Sequence, residues 1–196
     1  MTTPQTKSLP LKYRPLKRAG VPRRFFTAEE QGVIDPDVLL WQKRLLDGAD
    51  PLDPELGVGL ALIGTGNTSL QASFPIKRFI FAQRTGLWVD WRFLVDTMYS
   101  NDRKDRLDLL SDAYNPDILV LDQISMHRQD WINDLFTGIL KKRYDDGRPT
   151  VITMSVPVQT ARDSLRPITR FAPDCLQYVE ILGEDDEPTG SVDAED

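Results

Sequence analysis

The chain has 196 residues, 40% of them hydrophobic and 28% charged, and a net charge of −6, which excludes a disordered chain and allows one substantial core. Cys175 is the only cysteine, so an internal disulfide is excluded. Because no apolar run approaches the ~18 residues that span a bilayer, we expect a cytoplasmic protein without a membrane span.

The amino-terminal 24 residues are basic and contain no acidic residue. Prolines at positions 4, 10, 15 and 22 disfavour helix, and there is little apolar material to bury, so residues 1–24 are predicted to be an extended arm. Such a cluster of cations is typical of contact with a nucleic-acid backbone or an acidic partner. The candidate nucleic-acid-binding residues are Lys12, Arg14, Lys17, Arg18, Arg23 and Arg24.

The next segments alternate between helical patterns and short apolar runs. Thr27-Ala-Glu-Glu30 has the form of a capping box, and residues 36–46 place apolar side chains at helical spacing. Runs typical of buried strands are residues 58–63, 87–89, 118–121, 150–153 and 176–182, and residues 130–144 form the clearest amphipathic helix between them. This alternation predicts a three-layer α/β/α domain over residues 25–182 with a mainly parallel five-stranded sheet.

The carboxyl end is acidic. After Arg170 the sequence contains no further lysine or arginine. Residues 183–196 are predicted to be an acidic disordered tail, which either solubilises the chain or imitates nucleic acid.

A glycine-rich segment follows the first predicted strand and is similar to a phosphate-binding loop, G-x-x-x-x-G-K-[ST]. In such a loop, backbone amides surround the phosphates, the lysine neutralises them and the hydroxyl holds Mg²⁺. One alignment retains Gly64, Gly66 and Thr68 but has Ala61 for the first glycine and Asn67 for the lysine. Loss of the lysine is expected to weaken triphosphate binding by at least about tenfold.

Two other interpretations of this segment stay open. Taking Gly64 as the first glycine puts Ser69, Leu70 and Gln71 on the final G-K-T, which leaves no site. In the second interpretation, the segment is an ordinary turn between a strand and a helix.

A carboxylate at the end of the third predicted strand favours the phosphate-loop interpretation. Asp122 follows four apolar residues, which places it at the edge of the sheet where the magnesium-binding acid of P-loop enzymes lies. We therefore predict Thr68 and Asp122 as metal ligands, although Asp122 could also be a simple turn residue. Gln123 stands where a catalytic acid usually follows, and because glutamine is not a base, hydrolysis should be slow.

The order of these segments resembles the DnaC/IstB group of AAA+ proteins, which are bacterial and phage helicase loaders and transposition helper ATPases. The matching segments are Arg18 to Phe25, residues 61–70, Asp117 to Gln123, and Arg143-Tyr144 followed by Gly147 to Thr153. The resemblance implies a P-loop domain of AAA+ type, ATP and Mg²⁺ as cofactors, and assembly into a homo- or hetero-oligomer. It further implies a replicative helicase or a transposase as partner and contact with DNA.

The resemblance also assigns roles to individual residues. It implies nucleotide binding by Gly64, Gly66, Asn67, Thr68 and Ser155, where Ser155 replaces a sensor asparagine. It implies catalytic roles for Asp122 and Gln123, and it places Arg166 or Arg170 near the arginine that family members present to a neighbouring subunit.

Several signature positions are changed together, namely Ala61, Asn67, Gln123 and Ser155. This pattern favours a degenerate AAA+ protein of phage or mobile-element replication or transposition, with ATP hydrolysis weak or lost. One alternative is a slow ATPase that still loads a helicase. Another is a regulatory decoy that binds an active AAA+ assembly.

Overall fold

The computed structural model describes residues 10–28, 34–46, 58–99, 102–125, 130–166, 169–171 and 175–183. In these ranges the strands are β1 (Gly59–Ile63), β2 (Gly86–Asp90), β3 (Ile118–Asp122), β4 (Thr150–Met154) and β5 (Leu176–Glu180). The α-helices are α1 (Arg14–Arg18), α2 (Pro36–Leu46), α3 (Thr68–Phe81), α4 (Trp91–Tyr99), α5 (Arg103–Tyr114), α6 (Asp130–Asp145) and α7 (Val158–Leu165). Short 3-10 helices are Leu11–Tyr13, Arg23–Phe25 and Thr169–Phe171.

The five strands form one sheet in the order β2-β3-β4-β1-β5, and every neighbouring pair is parallel. This confirms the predicted five-stranded parallel sheet, and each predicted apolar run forms one of its strands. The helix predicted over residues 36–46 is α2, and the helix predicted over residues 130–144 is α6. The predicted capping box extends into residues 29–33, which lie outside the described residues. None of the described helices has the length and apolar character that a membrane crossing requires.

Helices cover both faces of the sheet, which explains why the strands read as continuous apolar runs. Alternate strand residues such as Leu60 and Val120 pack under α2, α3 and the amino-terminal segment. The residues between them, such as Ala61 and Leu121, pack under α4, α5, α6 and α7. The predicted three-layer α/β/α architecture is therefore confirmed.

The amino-terminal segment differs from the prediction. The extended conformation predicted for residues 1–24 is wrong over residues 10–24, which contain α1, one 3-10 helix and the start of a second. Pro15 lies in the first turn of α1, where its missing N–H costs nothing. Leu16 is fully buried, and the Ala19 carbonyl accepts a 2.7 Å hydrogen bond from the backbone of Trp88 in the edge strand β2. The segment therefore covers an edge and one face of the sheet.

Lys77 on α3 binds the amino-terminal segment through two hydrogen bonds. Its buried Nζ donates to the carbonyls of Phe25 at 3.2 Å and Ala28 at 2.7 Å. Replacing Lys77 with methionine keeps the length of the side chain but leaves both carbonyls without this donor. We expect a loss of roughly 1.5–3 kcal/mol in the free energy of unfolding, measured in urea, with faster tryptic cleavage at Arg23 and Arg24. Unchanged stability and unchanged cleavage would contradict this role.

Candidate nucleotide-binding site

The segment aligned with a phosphate-binding loop connects β1 to α3 and is short. Residues 64–67 are all that lie between Ile63, the last residue of β1, and Thr68, the first of α3. A working loop has eight positions from its first glycine to its hydroxyl. Counted back from Thr68, the first position is Ala61, which is a fully buried residue inside β1. Few residues therefore remain to surround a phosphate.

Backbone amides of this loop donate to acceptors within the protein. The amide of Gly64 donates to the Met154 carbonyl at 3.1 Å, and that of Gly66 donates to the Ile181 carbonyl at 2.9 Å. The Asn67 side chain caps α3 by accepting from the Leu70 amide at 3.0 Å. Amides that would face a phosphate in a working loop are thus used to pack the loop against the sheet and to cap the helix.

The hydroxyl of α3 that reaches Asp122 belongs to Ser69. Ser69 Oγ donates to Asp122 Oδ1 at 2.7 Å. Thr68 Oγ1 is buried and has no hydrogen-bond partner among the described residues. No hydrogen bond therefore joins Thr68 Oγ1 to Asp122, the two predicted metal ligands.

The remaining contacts of Asp122 close a network at the carboxyl edge of the sheet. Thr153 Oγ1 donates to Asp122 Oδ1 at 2.7 Å, and it accepts from the Gln123 amide at 2.7 Å. Gln123 Nε2 donates to Ser69 Oγ at 2.9 Å, and Ser155 Oγ donates to Gln123 Oε1 at 3.0 Å. The predicted residues Asp122, Gln123 and Ser155 are thus brought together.

The backbone of Gln123 has a φ of 58°, in the left-handed region that costs a non-glycine residue free energy. Both the backbone and the side chain of Gln123 are held by the network, which fixes this conformation. The hydroxyl protons of Ser69, Thr153 and Ser155 are all donated within the cluster. These hydroxyls are therefore committed to partners within the cluster, and Asp122 is its only carboxylate among the described residues.

These residues differ from those of a working site for a triphosphate with Mg²⁺. The loop is short, the amides of Gly64 and Gly66 have acceptors within the protein, and Asn67 stands where the lysine would follow Gly66. The hydroxyls of Ser69 and Thr153 both donate to Oδ1 of Asp122. Within the described ranges, no group of three His, Cys, Asp or Glu residues could hold a metal ion. The arrangement packs the loop against the carboxyl ends of β3, β4 and β5.

The other predicted site residues lie at the surface. Arg166 follows α7 directly, Arg170 lies in the last 3-10 helix, and both side chains are exposed. All of the basic residues predicted to contact nucleic acid are exposed as well. Two of them lie over aromatic rings, Lys12 at 4.8 Å from the centre of Tyr13 and Arg24 at 4.7 Å from that of Phe25.

Sequence reasoning missed the roles of Ser69 and Thr153. From the sequence, Ser69 is only one residue of the alternative alignment of the loop, and Thr153 is only the last residue of a predicted strand. A hydroxyl in the first turn of the helix after β1 was the available signal for Ser69. The position of Thr153 beside Asp122 follows from the adjacency of β3 and β4, which the sequence does not give.

Comparisons with known proteins bear on the fold. No protein-family model matches the chain, and no curated protein matches it either. The chain is similar to the crystal structure of DnaI, with 18% identity and a TM-score of 0.66, over 82% of this chain and 94% of that one. It is similar to the DnaC helicase loader, with 19% identity and a TM-score of 0.61, over 82% of this chain and 99% of that one.

A third similar structure is the replication initiator DnaA bound to AMPPCP and single-stranded DNA, with 16% identity and a TM-score of 0.59. The match covers 76% of this chain and 47% of DnaA. At identities this low, the similarity shows a shared fold and nothing about activity. The sheet order, the three layers and these matches together show that the chain has the fold of DnaI and of the DnaC helicase loader.

Proposed function

We propose that this chain is a helicase-loader-like protein of DNA replication that works through contacts with a protein partner and DNA, without depending on ATP hydrolysis. The observation that carries the proposal is the hydrogen-bonded cluster around Asp122, in which Ser69 and Thr153 both donate to Asp122 Oδ1 and Gln123 bonds to both hydroxyls. The partner is a replicative helicase or a transposase of a phage or mobile element, and the protein acts in the cytoplasm as a member of an oligomer. Arg166 and Arg170 are the candidates for contact with a neighbouring subunit.

Two features support this reading over a working ATPase. Asn67 uses its side chain to cap α3, at the position where the aligned lysine would neutralise phosphate. The oxygen that would help to hold Mg²⁺, Asp122 Oδ1, instead accepts two protein hydroxyls. Rebuilding a nucleotide site would therefore require both a new cation and a rearranged loop.

Nucleotide titration tests the proposal. We expect no saturable binding of a fluorescent ATP analogue with Mg²⁺ to the wild-type chain at micromolar concentrations, and none to the Asn67→Lys variant. The lysine alone does not restore binding because the amides of Gly64 and Gly66 stay engaged. DnaA, which is known in an AMPPCP-bound form, serves as the positive control. Saturable binding by the wild type that Asp122→Ala abolishes would instead identify a slow ATPase.

The partner is tested independently of nucleotide. Size-exclusion chromatography of the chain with the replicative helicase of its host, and separately with the associated transposase, should give a complex with one of them. The amount of complex is expected to be the same with and without ATP. A complex with neither protein, together with binding to another AAA+ subunit, would favour the decoy alternative.

A further inference from the structure

A groove lies between α4 and α5, on the face of the sheet opposite the amino-terminal segment. It encloses about 550 Å³. Its walls carry four carboxylates, one from α4 and three from α5: Asp96, Asp105, Asp108 and Asp112. Leu109 and Phe93 also line it, and Phe93 is 61% exposed. The groove therefore combines concentrated negative charge with an accessible aromatic ring.

The four carboxylates have no partner within the described residues. Their side chains are exposed, and none of them accepts a hydrogen bond or forms an ion pair there. By contrast, Asp145 and Asp146 on α6 each pair with a lysine one turn away. Three cations of α5 do not line the groove, namely Arg103, Lys104 and Arg106. In the part of the chain that the structure describes, no ion pair therefore neutralises the groove.

Two of these aspartates are unfavourable for α5 itself. Asp108 and Asp112 lie one helical turn apart, and like charges at that spacing destabilise a helix. Asp112 also lies in the last turn, where the negative end of the helix dipole repels it and no basic residue compensates. At the beginning of the helix, Asp102 supplies the cap and Asp105 favours the dipole. Helix stability thus does not explain Asp108 and Asp112, and their placement indicates a cationic ligand.

The other properties of the groove select among cations. Within the described ranges, no group of three carboxylate, thiol or imidazole side chains is placed to hold a metal ion. A small polyamine would pair with the carboxylates but would leave the ring of Phe93 in water. A protein segment that carries lysine or arginine beside an apolar residue uses both features, because guanidinium groups and apolar side chains each pack on an aromatic ring.

We propose that this acidic groove binds a cationic segment of a protein partner. Basic side chains of the segment pair with Asp96, Asp105, Asp108 and Asp112, and an apolar side chain packs on Phe93. The inference rests on the proposed function and deepens it, since it names the surface that contacts the protein partner and the chemistry of the segment that binds there.

Fluorescence anisotropy with a labelled peptide of four Lys-Leu-Arg repeats tests the acidic groove. Asp108→Asn/Asp112→Asn should bind the peptide at least about fivefold more weakly than the wild type at low salt, because two exposed ion pairs are lost. The difference should shrink to less than about twofold at ~1 M salt, where the screening length is about 3 Å. Phe93→Ala should weaken binding at least about threefold at both salt concentrations, since salt does not screen an apolar contact.

Two controls separate the acidic groove from general charge attraction. Asp130→Asn/Asp134→Asn removes two exposed aspartates with the same one-turn spacing from α6, and it should change the affinity less than about twofold. A peptide of four Lys-Ser-Arg repeats keeps the charge without the leucines, and it should bind the wild type and Phe93→Ala equally.

Thermal melts supply an independent readout. Asp108→Asn/Asp112→Asn should melt at or above the temperature of the wild type, because the substitution removes a repulsion within α5. A lower melting temperature would overturn the acidic groove by showing that the two aspartates stabilise the helix.

The complex with the helicase or the transposase links the acidic groove to the proposed function. Size-exclusion chromatography should show less complex with Asp108→Asn/Asp112→Asn than with the wild type or with Asp130→Asn/Asp134→Asn. An undiminished complex would overturn the acidic groove and leave the proposed function standing. Peptide binding that depends on the groove residues, without a complex with either protein, would support the groove and count against the proposed function.

Three further results would overturn the acidic groove. In the first, the peptide binds the groove variants as tightly as the wild type. In the second, spermine displaces the peptide at lower concentrations than the unlabelled peptide does, which identifies a polyamine site. In the third, the wild type self-associates at raised concentration while Asp108→Asn/Asp112→Asn stays monomeric, which assigns the groove to the amino-terminal cations of a second copy.

Discussion

Replacing Arg143 with methionine is expected to lower the free energy of unfolding by at least about 3 kcal/mol, because it removes the donor from a buried set of acceptors. Arg143 is fully buried on α6. Its Nε donates to Thr150 Oγ1 at 2.9 Å, and its Nη2 donates to the Pro149 carbonyl at 2.8 Å. Its Nη1 donates to carbonyls at the end of α5 and in the turn before β3, those of Ala113, Tyr114 and Pro116.

The physical reason for this size is that one side chain satisfies acceptors from three segments. Burial lowers the pKa of the Arg143 guanidinium to about 9, so it remains charged at neutral pH. The buried charge costs little free energy because the guanidinium N–H groups donate hydrogen bonds, and those bonds in turn satisfy the buried carbonyl oxygens. Methionine fills a similar volume and donates nothing, so all of these carbonyls lose the guanidinium. The Tyr114 carbonyl keeps its bond from Arg148 and the Pro149 carbonyl keeps its bond from the Leu119 amide, so the loss falls mainly on Ala113, Pro116 and Thr150.

Urea unfolding measured by tryptophan fluorescence gives the change. Lys142→Gln on the same helix is the control, since Lys142 is exposed and pairs only with Asp146 one turn away. That variant is expected to stay within about 0.5 kcal/mol of the wild type. If Arg143→Met were as stable as Lys142→Gln, the Arg143-Tyr144 motif would have to be explained by function and not by this buried network.

The strands and the longer helices could be predicted because their signal is local. A buried parallel strand is a short apolar run, and an amphipathic helix repeats its apolar face, so neighbouring residues carry the pattern. The amino-terminal segment was different, because α1 buries Leu16 only through partners that come later in the chain. Trp88 and Lys77 hold that segment through hydrogen bonds, whereas its own prolines favour an extended chain.

The candidate site could also be predicted only in part. The sequence identifies Asp122, Gln123 and Ser155 as members of the site because each follows a predicted strand. Which hydroxyl reaches Asp122 depends on how α3 is rotated at its start, and the short loop turns Ser69 towards the carboxylate while Thr68 is buried. The contact of Gly66 with Ile181 joins distant parts of the chain, and no local pattern encodes it.

Replacing Gly64 with alanine is expected to cost at least about 2 kcal/mol of stability. Gly64 has a φ of 137°, where side chains are strained, and an added Cβ would overlap the Ile181 carbonyl. That carbonyl accepts from Gly66, and the Ile181 amide donates to the Ile63 carbonyl at 2.7 Å, so the Cβ would separate the ends of β1 and β5. Urea unfolding measures the change.

Gly138→Ala provides the opposite control. Gly138 is exposed inside α6, and an added Cβ there meets nothing within 4 Å. This variant should gain roughly 0.5–1 kcal/mol, because alanine loses less backbone entropy in a helix. The pair separates two reasons for a glycine in the loop. If Gly64 served the approach of a phosphate, alanine would weaken nucleotide binding and leave the unfolding midpoint in place. If it serves the contact with Ile181, the unfolding midpoint falls.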